Sequence, residues 1–134
     1  MAEEISGTTL MRTSDPARVD RVIELALKQI DLSSIATGAA DEMGLGPAYR
    51  QHSALDFILQ DLGAFPGKGW SLVEAGLSSP VVRNRNMALK TLGSWGRHQW
   101  PEGAVAPLSR AHGAEPVEDV RARMAQLLAQ ESDQ

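Results

Sequence analysis

The chain contains no cysteine, which excludes a disulfide framework, a thiolate nucleophile and any cysteine-ligated zinc or iron–sulfur site. No apolar run approaches the roughly 18 residues needed to span a bilayer. The opening Met-Ala-Glu-Glu is acidic, unlike the basic start of a secretory leader. The expectation from these absences is a cytoplasmic protein without membrane contact. No stretch alternates apolar and polar residues for long, and β-branched residues are sparse, so strands are not expected. What remains is 134 residues, 43% hydrophobic and 22% charged, a composition and length suited to one all-α domain with a true core.

Acidic groups are also missing from one particular place. Between Glu74 and Glu102 there is no carboxylate, while Arg83, Arg85, Lys90 and Arg97 all fall there. Residues 1–67 carry 5 Lys/Arg against 10 Asp/Glu, and residues 68–134 carry 8 against 7. The chain thus has a basic island inside an acidic protein of net charge −4 and pI near 5.3.

Helix signals divide the rest. Residues 1–13 lack any sustained period and read as a loose N-terminal tail, leaving residues 14–134 as a single helical domain. Ser14-Asp15-Pro16 is a helix start, and Val19, Val22, Ile23, Ala26 and Ile30 give one apolar stripe. A weaker helix is expected over residues 31–43. Stronger ones are expected from Pro47 to Leu62, Trp70 to Leu77, Pro80 to Gly93 or Gly96, Pro101 to about Ala111 and Pro116 to about Ala129.

Three of these prolines carry a repeat. Pro47, Pro80 and Pro116 lie 33 and 36 residues apart. Counted from each proline, position +8 holds Leu55, Ala88 and Met124, position +12 holds Leu59, Leu92 and Leu128, and position +1 holds Ala48, Val81 and Val117. At 100° per residue these three positions share one face. Position +15 adds Leu62 and Trp95. Position +5 holds His52, Arg85 and Arg121, at the edge of that stripe, where a buried guanidinium needs a carboxylate or carbonyl partner. Such hairpins cannot bury their apolar faces singly, so stacking is expected.

The segment from Ser79-Pro80-Val81-Val82-Arg83-Asn84-Arg85 to Thr91-Leu92-Gly93 resembles the second helix of a HEAT repeat. So does Glu115-Pro116-Val117-Glu118-Asp119-Val120-Arg121 through Leu128. The last copy keeps Val120-Arg121 in register. The middle copy has Asn84 in place of valine, and the first, from Gly46-Pro47, has Gln51-His52. Asp15-Pro16 with Arg21 looks like a fourth start, but Glu24 and Lys28 stand at its core positions. The resemblance covers about residues 47–129. It implies a short α-α superhelix of stacked antiparallel hairpins, HEAT- or ARM-like, whose proline-led helices line a concave binding side.

On that polar edge the candidate partner-binding residues are Arg50 and Phe57 of the first proline-led helix, Arg83, Lys90 and Arg97 seven apart on the second, and Trp100 in the following loop. Phe57 is expected to pack beneath the 31–43 helix; exposed, it would be an interaction hot spot. Trp95 and Trp70 are expected in or against the core. Trp100 is either a staple for the next hairpin or a contact for a partner.

Catalytic chemistry finds no support. His52 and Asp56 are four apart on a helix, but no second pair completes a metal site. Residues 63–69 have the wrong spacing for a phosphate loop. No nucleophile elbow or acid–base pair assembles, so no catalytic residue, metal or cofactor is expected. The leading reading is a non-enzymatic protein–protein interaction module. The alternatives are a nucleic-acid contact through Arg83, Lys90 and Arg97, against which the acidic pI weighs, and a piece or subunit of a larger solenoid.

Overall fold

A computed structural model of the chain describes residues 16–129, apart from residues 39, 41 and 45. The expected tail and the Ser14-Asp15 cap lie outside the described residues. Within them the fold is all-α. Seven α-helices follow one another: α1 (Pro16–Gln29), α2 (Leu32–Ile35), α3 (Arg50–Leu62), α4 (Trp70–Leu77), α5 (Val82–Trp95), α6 (Val105–Ala114) and α7 (Glu118–Ala129). Short 3-10 turns precede α3 at Pro47–Tyr49 and follow α5 at Arg97–Gln99.

The helices lie in two rows. α2 packs on α4 and α4 on α6; in the other row α3 packs on α5 and α5 on α7. The rows join where α4 meets α5 and α6 meets α7. Their shared core uses the periodic positions. Leu55, Ala88 and Met124 are fully buried, as are Leu59 and Leu92, and Leu62 and Trp95 continue the seam. In α7 the burial moves by one residue, to Leu127, and Leu128 is only partly covered. Position +1 is buried only at Val81; Ala48 is exposed and Val117 half-buried. Trp70 and Trp100 pack against the core from outside. α1 contributes Val19, Val22, Ile23, Ala26 and Ile30 to the same cluster, with Glu24 and Lys28 exposed.

Close approach between the rows is set at Gly76. A Cβ there would stand 3.0 Å from Leu59 Cδ1 and 3.2 Å from Ala88 Cβ, so a side chain would fit only if these neighbours gave by a few tenths of an ångström.

The expected helix over residues 31–43 is cut to Leu32–Ile35. Asp31 caps this turn, accepting from Ser33 N at 3.2 Å and from the hydroxyls of Ser33 and Ser34; these bonds hold its carboxyl below the ordinary carboxylate range. Among the described residues beyond it, no helix follows before Pro47. Gly38 donates to Ser78 O, Glu42 N donates to Pro80 O at 3.1 Å, and Val82 N donates to Glu42 O at 3.0 Å, making one isolated parallel bridge between Glu42 and Val81. Gly44 permits this, because it sits at φ +69° and a Cβ on it would lie 2.7 Å from Val81 Cγ1. Backbone pairing with the α4–α5 turn has displaced helix propensity here. The helix expected from Pro101 starts later, at Val105, and runs on to Ala114.

Candidate functional site

The pre-proline residues build the turns in a common way. Ser79 Oγ accepts from Val81 N at 3.1 Å, and Glu115 Oε2 accepts from Val117 N at 3.0 Å, two residues on in each case. Gly46 has no side chain to do this. The base at +5 then closes back on its own turn: Arg85 Nη1 donates to Ser79 O at 2.9 Å, and Arg121 Nη1 donates to Glu115 O at 3.3 Å.

Arg85 also reaches forward. Its Nε and Nη2 each lie 2.6 Å from a Glu115 carboxylate oxygen, and both side chains have no solvent exposure. The arginine expected to need a buried partner therefore has one, and it ties the start of α5 to the start of α7. At the other end Arg97 Nη1 donates to Leu127 O and Leu128 O at 3.2 and 3.0 Å, satisfying carbonyls that a helix terminus leaves open. Its guanidinium lies 5.1 Å over the Trp100 ring, and Trp100 Nε1 donates to Leu92 O at 2.9 Å. Trp100 is thus a staple at the far end of α5.

Between these two ties α5 and α7 are bridged by the Arg123–Asn86 hydrogen bond and leave a gap beside it. The gap is a groove of about 800 Å³. Its apolar lining comes from Val82, Met87 and Leu89 of α5, Leu127 of α7, and Met43 beside the Glu42–Val81 bridge. Its polar lining is Glu42, Arg83, Asn86, Lys90, Arg123 and Gln126. Met43 is 73% exposed, yet its backbone is held, since Arg83 Nη1 donates to its carbonyl at 3.1 Å beside the Glu42 bridge.

The cations on the groove are not equivalent. Arg83 pairs with Asp56 and also reaches Ser53 Oγ. Asp56, buried on α3, takes a second bond from Asn84 Nδ2 at 2.6 Å. Arg123 has a neutral partner, Asn86 Oδ1 at 2.6 Å. Lys90 is exposed and has no carboxylate within ion-pair distance among the described residues. Glu42, the one carboxylate among the described lining residues, accepts from the Tyr49 hydroxyl at 2.7 Å, which raises the tyrosine above its ordinary pKa.

Of the six candidate residues, Arg83 and Lys90 share the groove, Arg97 and Trp100 sit together at its end, and Arg50 and Phe57 lie on α3. Phe57 is 46% exposed. It is not covered, because the helix expected above it stops at Ile35 and the described residues Gly38 and Glu42 pair with the α4–α5 turn instead. Sequence reasoning missed Met43, Met87, Leu127 and Arg123. The available signal was position +7, where Met87 and Arg123 both fall; Met43 had none, because its segment was read as helix.

His52, at +5 on α3, has both ring nitrogens buried with no partner among the described residues. Burial pushes its pKa down, and Arg83 adds to this against the opposing pull of Glu42 and Asp56. Asp56, its expected companion in a metal pair, is engaged by Arg83 and Asn84. No group of three His, Asp or Glu with metal-binding geometry occurs among the described residues, and no described helix is long and apolar enough to cross a membrane. Compared with protein-family models, curated proteins and solved structures, the chain matches none.

Proposed function

We propose that this chain is a protein-binding module of stacked, HEAT-like helical hairpins, which takes its partner on the face formed by the proline-led helices. The single observation that carries the reading is the α5–α7 groove. It combines an apolar floor, a backbone-anchored exposed methionine and two cations, Lys90 and Arg123, without carboxylate partners among the described residues. Grooves between helices are a common place for a docked segment. The two-row packing, with α5 between α3 and α7, supports the stacked arrangement.

The nucleic-acid alternative loses support from the same side chains. Of the row Arg83, Lys90 and Arg97, the first is neutralised by Asp56 and the third is spent on α7 carbonyls and Trp100. Of that row only Lys90 is left, so a polyanion would find Lys90 and the neighbouring Arg123 on a chain of net charge −4.

The test is affinity capture with Met87→Asp as the control, alongside circular dichroism and thermal melting. A partner retained by the wild type and lost by Met87→Asp, at unchanged helicity, supports the reading. Binding of polynucleotide at low salt that Lys90→Glu abolishes would overturn it in favour of the alternative.

A further inference from the structure

The shape and charge of the groove specify its occupant more narrowly than a protein of any kind. Its α5 wall runs from Val82 to Lys90, about 12 Å at the helical rise, which is two turns or a little more. On α7 the lining residues Arg123, Gln126 and Leu127 fall at i, i+3 and i+4, so one face of each helix is presented. The floor, Leu89 and Leu127, is nearly closed to solvent. Met43 and Met87 border it with side chains that can adjust to a non-planar apolar surface. Above that floor stand Lys90 and Arg123, neither with a carboxylate partner among the described residues. Glu42 is the only acid among the described lining residues, and Tyr49 already engages one of its oxygens. A two-turn apolar trough between two helices fits the ridge of a third helix better than an extended strand, which would present unpaired backbone groups to a wall with no free backbone edge.

Resting on the reading above, we infer that the occupant is an amphipathic helical segment of a partner protein, with apolar residues at i, i+3 or i+4 and i+7, flanked by Asp or Glu that pair with Lys90 and Arg123. The apolar side chains enter between Met43, Met87 and Leu127. The carboxylates supply the counter-charge that Lys90 and Arg123 lack among the described residues.

The experiment is selection from a phage-displayed library of random 16-residue peptides on the intact chain, with counter-selection on Leu127→Arg. Enriched peptides are synthesised and titrated by fluorescence anisotropy. The expected result is enrichment of helix-period apolar residues with excess Asp/Glu. The double variant Lys90→Glu/Arg123→Glu should weaken binding at least tenfold, with partial recovery by peptides carrying Lys for Glu. Groove-dependent peptides that are basic, or that lack a helical period and stay non-helical by circular dichroism when bound, would overturn this inference while leaving the protein-binding reading intact. Enrichment of nothing that distinguishes the wild type from Leu127→Arg would overturn both. A melting temperature of each variant close to the wild type keeps these outcomes separate from misfolding.

Discussion

The two seams of the proline-led row, α3 against α5 and α5 against α7, are built from matching helices and end up unlike. Along α3–α5 the polar groups of α5 are spent on the backbone of its neighbour. Asn84 donates to His52 O at 2.9 Å, Thr91 to Leu59 O at 2.6 Å, and the Trp95 indole to Leu62 O at 2.8 Å. These bonds are spread over the whole length of the seam, and Leu55, Leu59 and Leu62 fill it. Along α5–α7 the polar ties are concentrated at the ends, Arg85 with Glu115 and Arg97 with the last carbonyls of α7. The middle is left to Leu89, Leu127 and the exposed Asn86–Arg123 bond. A seam bonded throughout has no room for a ligand; one pinned at its ends does.

The largest way to break this difference is at the pin between the helix starts. Arg85→Ala leaves Glu115 buried without its counter-charge and should cost about 3–5 kcal/mol in urea unfolding. Arg85→Met combined with Glu115→Leu should recover most of that loss, since a buried pair is often close to neutral against an apolar substitute. Equal destabilisation by the single and double variants would show that the pair does more than satisfy its own charges.

Next comes the closed seam. Trp95→Phe removes the donor to Leu62 O and part of a fully buried side chain, and should cost about 2–3 kcal/mol. Thr91→Val should cost about 1 kcal/mol through the same kind of loss at Leu59 O. At the far pin, Arg97→Ala should cost about 1–2 kcal/mol. Hydrogen exchange should show the loss concentrated at the end of α7, where Arg97 Nη1 caps Leu127 O and Leu128 O. Spread of that loss into α3 would mean that the two seams are one cooperative unit.

The smaller effects follow position +5 across the three helices. Arg121 repeats the backbone bond of Arg85 but is exposed and has no carboxylate beyond it, so Arg121→Ala should change stability by less than about 0.5 kcal/mol. At the first copy the effect is a slope with pH. His52 is pushed down by burial in the folded chain, whereas in the unfolded chain it titrates near 6.5. Below that pH the unfolded state holds the extra proton, so stability contributed by the neutral imidazole is complete above about pH 7 and declines as pH falls through about 6.5. The decline ends once the folded-state imidazole also protonates. His52→Gln should remove this part of the profile, measured as the difference between the two proteins' unfolding midpoints from pH 8 to pH 5.

Much of the helical layout was legible because it depends on local signals. The apolar period of α1, the prolines that set the start of α3, α5 and α7, and the inward positions +8 and +12 need only neighbouring residues to be read. The need of Arg85 for a partner was legible too, from a charge at the edge of an apolar stripe. That the partner is Glu115 was not, because a residue 30 positions away becomes adjacent only after two hairpins have packed. The same applies to Phe57. Its covering helix was inferred from local helix signals over residues 31–43, and pairing of that segment with the α4–α5 turn removed the cover.

By itself the sequence determined an all-α chain, the placement of its principal helices and the inward stripe they share, since periodicity and chain-breaking residues act within a few positions. It also determined that a basic island would lie on α5. Only the tertiary structure decided which of those cations are spent and which stay available. Arg83, Arg85 and Arg97 are claimed by groups on other helices and Lys90 is not, because pairing depends on which distant carboxylates and carbonyls packing brings within reach. It likewise decided where the groove opens, since α5 is bonded to α3 along its length and to α7 chiefly at its ends.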